Sequence, residues 1–153
     1  MEDEDLILEG VKNSLEAGAS VIDIYIDGDE FSIIDDGKLE YIPDFKEGSS
    51  SKGEKRGRGL YLLARACNGR CSIDRKDGRT LLKGRFERAL EADKVIPFCF
   101  NLTSSAVYHS MRGDVELYRL DSKDLDAMGI NPENAIGIAR IKRIIREKEQ
   151  RSL

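Results

Sequence analysis

The sequence predicts an α+β fold, a two-layer α/β sandwich with helices on one face of a mostly antiparallel sheet. Three observations carry that reading. A helical stretch opens the chain, two short period-two segments follow around Gly28-Asp29, and a second helix leads into another such pair around Asp77-Gly78. Residues 1–88 thus run helix–strand–strand–loop–helix–strand–strand.

Each element has a local reason. Residues 5–17 place Leu8, Val11 and Leu15 at helical spacing, and Gly18 is positioned to end the helix. Residues 21–26 carry Ile22, Ile24 and Ile26 in period two and form a strand, with residues 31–35 returning as its hairpin partner. No periodicity exists from Asp36 to about Arg56, and the Gly, Ser and Lys of residues 46–53 have the composition of a mobile loop. Leu60 to Cys67 is helical, with Asn68-Gly69 as its stop signal, and residues 70–75 and 80–86 make the second hairpin.

The remainder is less regular. Val95 to Val107 is a mixed apolar stretch holding Pro97, and Val115 to Leu120 predicts a strand. Asp121-Ser122 can cap a short helix, and Asn131-Pro132-Glu133 opens a last one with Pro at its first position. That helix, residues 133–148, sets Arg140, Lys142, Arg143, Arg146 and Lys148 on a solvated face beside a stripe of Ile136, Ile138, Ile141, Ile144 and Ile145. The stripe can dock a partner or a second protomer, so a homodimer is one reading of it. The chain is expected to divide into a core of residues 1–88 and a small α/β extension of residues 89–153.

Composition excludes several classes. The length of 153 residues suits one domain with a short appendage, and the 40% apolar content is too high for a disordered chain. No apolar run approaches the ~18–20 residues of a membrane span, and the acidic start Met1-Glu2-Asp3-Glu4-Asp5 is not that of a signal peptide. Three cysteines, an odd number, suggest free thiols in a reducing compartment, hence a cytoplasmic protein. With 29 acidic against 25 basic residues, bulk attraction to nucleic acid is disfavoured. A local patch of Lys52, Lys55, Arg56, Arg58 and the last helix is the remaining nucleic-acid reading, and the lack of interleaved aromatics counts against it.

Three motifs carry chemistry. Glu9 and Asn13, four apart, project from one helical face, where a carboxylate can hold a water as general base and an amide oxygen can coordinate Mg²⁺ beside phosphates. Asp35-Asp36-Gly37 closes an apolar strand, so a carboxylate there can accept from an exocyclic amine while Gly37 lets a planar ring approach the backbone. The segment Ser50 to Leu60 brings Gly53, Gly57 and Gly59 with Lys52, Lys55 and Arg56 into a helix start, where free N–H groups and the helix dipole favour an anion. Each motif alone also fits a bland structure: a solvated helix face, an ordinary turn, and a linker or nucleic-acid contact.

In this order and spacing the motifs resemble the Bergerat-fold ATPase superfamily, the GHKL group of gyrase-type, chaperone, histidine-kinase and MutL-type ATPases. Glu9-Gly-Val-Lys-Asn13 is similar to its N box, Asp35-Asp36-Gly37 to its adenine-binding G1 box, and Arg56-Gly57-Arg58-Gly59-Leu60 to its G2 box. Thr80 matches the threonine these proteins carry on a late strand near adenine. The resemblance spans about residues 5–88 and is closest to small stand-alone histidine-kinase-like ATP-binding proteins, because 153 residues leave no room for the transducer and dimerisation domains of MutL-type proteins.

The resemblance implies an ATP-binding protein that uses Mg²⁺. Glu9 would orient or activate the attacking water, Asn13 would ligate the metal, and Asp35, supported by Thr80 and a water, would bond the adenine amine. Gly37 would leave room for the ring, Gly57, Gly59 and Leu60 would offer N–H groups to phosphates, and Lys52 would reach the γ-phosphate from a lid. The implied activity is slow ATP hydrolysis or phosphoryl transfer to serine or histidine of a protein partner; the alternative is a non-catalytic, nucleotide-responsive adaptor. Leu39, where the G1 box usually has a second glycine, and the short Ser-rich lid motivate that alternative. The one histidine, His109, reads as structural or surface, and Cys67, Cys71 and Cys99 read as packing cysteines in preference to a metal site.

Overall fold

The computed structural model describes residues 2–38 and 54–151, excepting the side chains of residues 54–58. The expected mobile loop of residues 46–53, Leu39 and Lys52 lie outside the described residues. Helix α1 (Asp3–Glu16) leads to the hairpin β1 (Ile22–Asp27) and β2 (Glu30–Asp35); α2 (Glu54–Ala66) precedes the hairpin β3 (Cys71–Lys76) and β4 (Arg79–Arg85). A 3-10 turn (Ala92–Lys94) and α3 (Ile96–Leu102) lead into β5 (Ala106–Arg112), β6 (Val115–Asp121), α4 (Ser122–Ala127) and α5 (Ala135–Arg151).

The six strands form one mixed sheet in the order β3-β4-β2-β1-β5-β6, antiparallel except where β1 meets β5 in parallel. The period-two pattern decides its sidedness. Ile22, Ile24, Ile26, Phe31, Ile33, Leu82, Phe86, Ala106, Tyr108 and Leu120 are buried under the helices, while Asp23, Tyr25, Ile34 and Leu81 line a partly exposed opposite face. An α+β, two-layer architecture results. The helices contribute Leu6, Ile7, Val11, Leu60, Leu63, Ile96, Ile141 and Ile145 to the same core, and Val95 joins them from the turn before α3. At Gly10 a side chain would stand 2.8 Å from Ile33 Cδ1, so glycine lets α1 press close to β2.

Local chemistry explains the boundaries. The N–H of Glu2 donates to Asp5 Oδ2 at 3.0 Å, satisfying a donor at the start of α1. Asp77 and Gly78 take φ values of 54° and 76°, the left-handed pair that a two-residue hairpin turn requires. Asp121 caps α4 by accepting from the Asp124 N–H at 3.0 Å.

Two boundaries differ from expectation. Helix α2 begins at Glu54, not Leu60, so the aperiodic stretch ends earlier than its composition suggests. Pro132 does not open α5: Asn131 Oδ1 accepts from the Glu133 N–H at 3.0 Å and forms a turn, and Asn134 Oδ1 then accepts from the Gly137 N–H at 2.8 Å, making Asn134 the cap. Within α5, Ile141 and Ile145 are buried against the rest of the chain, Ile138 and Ile144 are partly so, and Ile136 alone stays 75% exposed. Most of the isoleucine stripe therefore packs internally.

Candidate functional site

A buried polar group sits where α1, β2 and β4 meet. Strand register pairs Asp35 with Thr80, and both side chains are buried, at 6% and 4% exposure, in a layer that is mostly apolar. From α1, Ser14 Oγ donates to Asp35 Oδ2 at 2.7 Å; from the following turn, the Gly37 N–H donates to Asp35 Oδ1 at 2.8 Å. Each carboxylate oxygen thus has one donor among the described residues and keeps a further accepting direction.

Gly37 is held at the C-terminal end of α1. The Lys38 N–H donates to the Ala17 carbonyl at 2.8 Å, and a Cβ on Gly37 would lie 2.9 Å from both the Cβ and the carbonyl oxygen of Ala17. Only glycine fits there without displacement. From β3, Arg75 Nη1 donates to the Gly37 carbonyl and to Thr80 Oγ1, each at 2.8 Å.

The neighbouring Asp36 has a different task. It accepts from the Ser20 N–H at 2.7 Å, from the Val21 N–H at 3.1 Å and from the Ser20 hydroxyl. These bonds, the Ser20 hydroxyl foremost, hold its carboxyl down to about 2. Of the Asp-Asp pair, the first is buried with accepting capacity left and the second staples the turn.

Glu9 and Asn13 share a face of α1, both half-buried. Glu9 pairs with Lys12 Nζ at 3.2 Å, and a Cβ on Gly59 would lie 3.8 Å from Glu9 Cβ, so α2 runs directly beside this face. Because α2 starts at Glu54, the N–H groups without intrahelical acceptors within it are those of residues 54–56, whereas Gly57, Gly59 and Leu60 lie inside the helical hydrogen-bond ladder and Leu60 is a core residue. The structure thus brings Ser14, Asp35, Gly37 and Thr80 together, with Glu9 and Gly59 adjacent to each other on α1 and α2.

Sequence reasoning missed Ser14, Ala17 and Arg75 as parts of this group. The signal for Arg75 existed, since counting outward from a two-residue turn at Asp77-Gly78 pairs Lys76 with Arg79 and Arg75 with Thr80. Ser14 lies one residue past Asn13, and its position facing Asp35 follows from the packing of α1 on β2, which no local pattern encodes.

The cysteines and the histidine lie elsewhere. Burial raises the thiols of Cys67 to about 11 and Cys99 to about 12 and also raises that of Cys71, so all three stay protonated near neutrality. Among the described residues no group of three or more His, Cys, Asp or Glu side chains is arranged to hold a metal. His109 stacks on Tyr25, with ring centroids 4.2 Å apart, and its two ring nitrogens meet Asp23 and Glu116 on the sheet face opposite the helices. Among the described residues no helix is long and apolar enough to cross a membrane.

No protein-family model matches this chain, and none of the curated proteins matches it significantly.

Proposed function

We propose that this chain binds Mg²⁺–ATP as a cytoplasmic protein of the histidine-kinase-like, Bergerat-fold type, with an ATP-binding core formed by residues 1–88. The observation that carries the reading is the buried Asp35–Thr80 pair beside Gly37. An acceptor-only carboxylate with a free direction and a neighbouring hydroxyl together suit a flat ring bearing an exocyclic amine, whereas the room left by Gly37 is taken by Ala17 and does not serve the ring.

The remaining motifs suit the phosphates. The leading N–H groups of α2, those of residues 54–56, suit an anion, and Lys52 belongs to the segment expected to cover it. Asn13 fits Mg²⁺ by its chemistry: the ion takes hard oxygen donors and needs only one or two from the protein, keeping water and phosphate for the rest. Bound there, the metal would neutralise phosphate charge. In turnover Glu9 would take a proton from the attacking water, the triphosphate being held in place by the start of α2 and Lys52. Either slow hydrolysis or transfer to a serine or histidine of a protein partner is compatible with this set.

Titration of the chain with a fluorescent ATP analogue, with and without Mg²⁺, tests the reading. Micromolar binding strengthened by Mg²⁺ is expected, and Asp35→Asn should weaken it by about 10- to 100-fold, the range for a hydrogen bond to a charged group. Absence of binding at millimolar nucleotide, or indifference to Asp35→Asn, would sink it. A second reading, a nucleotide-responsive adaptor without turnover, is favoured by the Glu9–Lys12 ion pair, which occupies the would-be base. Phosphate release that disappears in Glu9→Ala while nucleotide still binds would eliminate that alternative.

A further inference from the structure

The sheet face opposite the helices is less polar than an open face usually is. Register runs one row of side chains across it from Leu81 on β4 through Ile34 and Asp23 to Val107 on β5; the next row holds Lys83, Ser32, Tyr25 and His109. Leu81, Ile34, Tyr25, Val107 and Met111 are each half-buried there, and most of them line a shallow groove of about 360 Å³. Charge is divided across this face. On β3 and β4 it carries Lys76, Arg79 and Lys83 against the single carboxylate Asp74, and none of these cations pairs with a carboxylate among the described residues. On the far side stand Asp23 and Glu116, held by His109, and Asp27, which accepts from the Gly113 N–H at 2.8 Å. Arg119 on that side is already tied to Asp121 at 3.0 Å.

We infer that a second copy of this chain docks on this open face, sheet against sheet, about a twofold axis running along the strands. The charge division selects the occupant. Such an axis lays β3 and β4 of one copy over β6 and β5 of the other, so each basic side meets an acidic side while the apolar rows meet between them. A partner of one charge sign would be repelled by half of the face, whereas the face complements itself. Its size is adequate. Six strands about 4.8 Å apart and about 20 Å long give roughly 600 Å² in projection, on the order of the ~800 Å² per partner that a stable complex buries. The inference does not depend on the ATP-binding reading.

Sedimentation velocity over a concentration series tests it. The wild-type chain should dimerise with a Kd of about 10 µM or lower, weakened about tenfold in 1 M salt, where screening shortens to ~3 Å. Lys76→Glu with Lys83→Glu makes the face acidic throughout, and Asp27→Lys with Glu116→Lys makes it basic throughout. Each double variant should be monomeric by itself, with self-affinity reduced about 100-fold, and an equimolar mixture of the two should form a heterodimer. A variant that had merely lost its fold would not be rescued by the other. Ile34→Glu at the centre of the face should abolish dimerisation, while Ile136→Glu, on the exposed start of α5, should leave it intact. Should a double variant fail to fold by circular dichroism, Lys83→Glu and Glu116→Lys, both at exposed positions, replace the pairs. A wild-type chain that stays monomeric at about 0.1 mM overturns the proposal and leaves the face to another occupant. So do reversal variants that self-associate like wild type, and so does a dimer lost in Ile136→Glu but kept in Ile34→Glu, which would move the interface to α5.

Discussion

Two carboxylates, the buried Asp35 and the half-buried Glu149, are used in opposite ways. Asp35 accepts two hydrogen bonds, one per oxygen, and retains room for more. Glu149, near the end of α5, directs a single oxygen at three hydroxyls: Tyr108 at 3.1 Å, Ser110 at 3.3 Å and Tyr118 at 2.7 Å. Burial and the negative charge beside them push both tyrosine hydroxyls well above their ordinary range, so they remain donors near neutrality. Lys148 adds its ammonium 5.2 Å from the Tyr118 ring. Glu149 fastens α5 to β5 and β6 through side chains alone, whereas Asp35, with one donor per oxygen at a glycine-lined turn, is the group proposed to meet a ligand.

That contrast predicts separable effects: variants around α5 should change stability and spare nucleotide binding, and variants around Asp35 should do the reverse. The largest loss is expected from Gly137→Ala. Its Cβ would stand 1.6 Å from the Asn131 carbonyl oxygen, a clash with backbone that only displacement of the turn or of α5 relieves, and overpacking of this kind costs about 3 kcal/mol or more. Thermal unfolding measures it. A fully stable Gly137→Ala protein would show that the start of α5 is not held against the turn.

Next comes Arg88→Ala. Glu4 is only 1% exposed and receives the Arg88 guanidinium and, at 2.9 Å, the Glu91 N–H, tying the start of α1 to the segment after β4. Burial pushes its carboxyl up, but these bonds outweigh that and leave it below its ordinary value. A lowered native value means the contribution is present above the unfolded carboxyl range and lost as pH falls through the native one. Without Arg88 burial prevails and the sign reverses, so the deficit should grow from acid toward neutrality, reaching about 1–3 kcal/mol with Arg88 itself half-exposed. Urea titrations at several pH values measure it; a deficit independent of pH would show that Glu4 is not the group involved.

Smaller again is Glu149→Gln, which keeps the shape but offers a weaker acceptor to three hydroxyls. About 1 kcal/mol is expected, with ATP affinity unchanged. The least effect belongs to Asp36→Asn, an exposed staple. Its carboxyl is held at about 2, so its contribution is intact above the usual aspartate range and fades as pH drops toward 2; the variant should differ from wild type near neutrality and converge with it in acid. An Asp36→Asn protein that loses nucleotide binding as completely as Asp35→Asn would erase the distinction drawn between the two aspartates.

Legibility followed the range of the interactions. Helix α1, both hairpins and the capped α4 were readable because their causes lie within a few residues: Leu8, Val11 and Leu15 at helical spacing, Asp77-Gly78 at a turn, Asp121 three before Asp124. Pro132 misled because a rule for the first helical position competed with asparagine turn chemistry, and the two asparagines at 131 and 134 prevailed. Asp35, Gly37 and Thr80 were picked out as candidates from residue type, but that Asp35 and Thr80 are buried cross-strand partners depends on β2–β4 pairing across 45 residues.

By itself, then, the sequence determined most of the elements, their order, and which residue types stood at turns and strand ends, since propensity, capping and hydrophobic period are local; α3 and β5, which arise from the mixed apolar stretch after Val95, were not among them. Tertiary structure decided the rest. It placed β5 parallel to β1 and so extended the sheet, brought Arg88 to Glu4 across 84 residues, and seated Ser14 and Arg75 on either side of the Asp35–Thr80 pair. These contacts depend on which surfaces exclude water together, and that is a property of the packed chain as a whole.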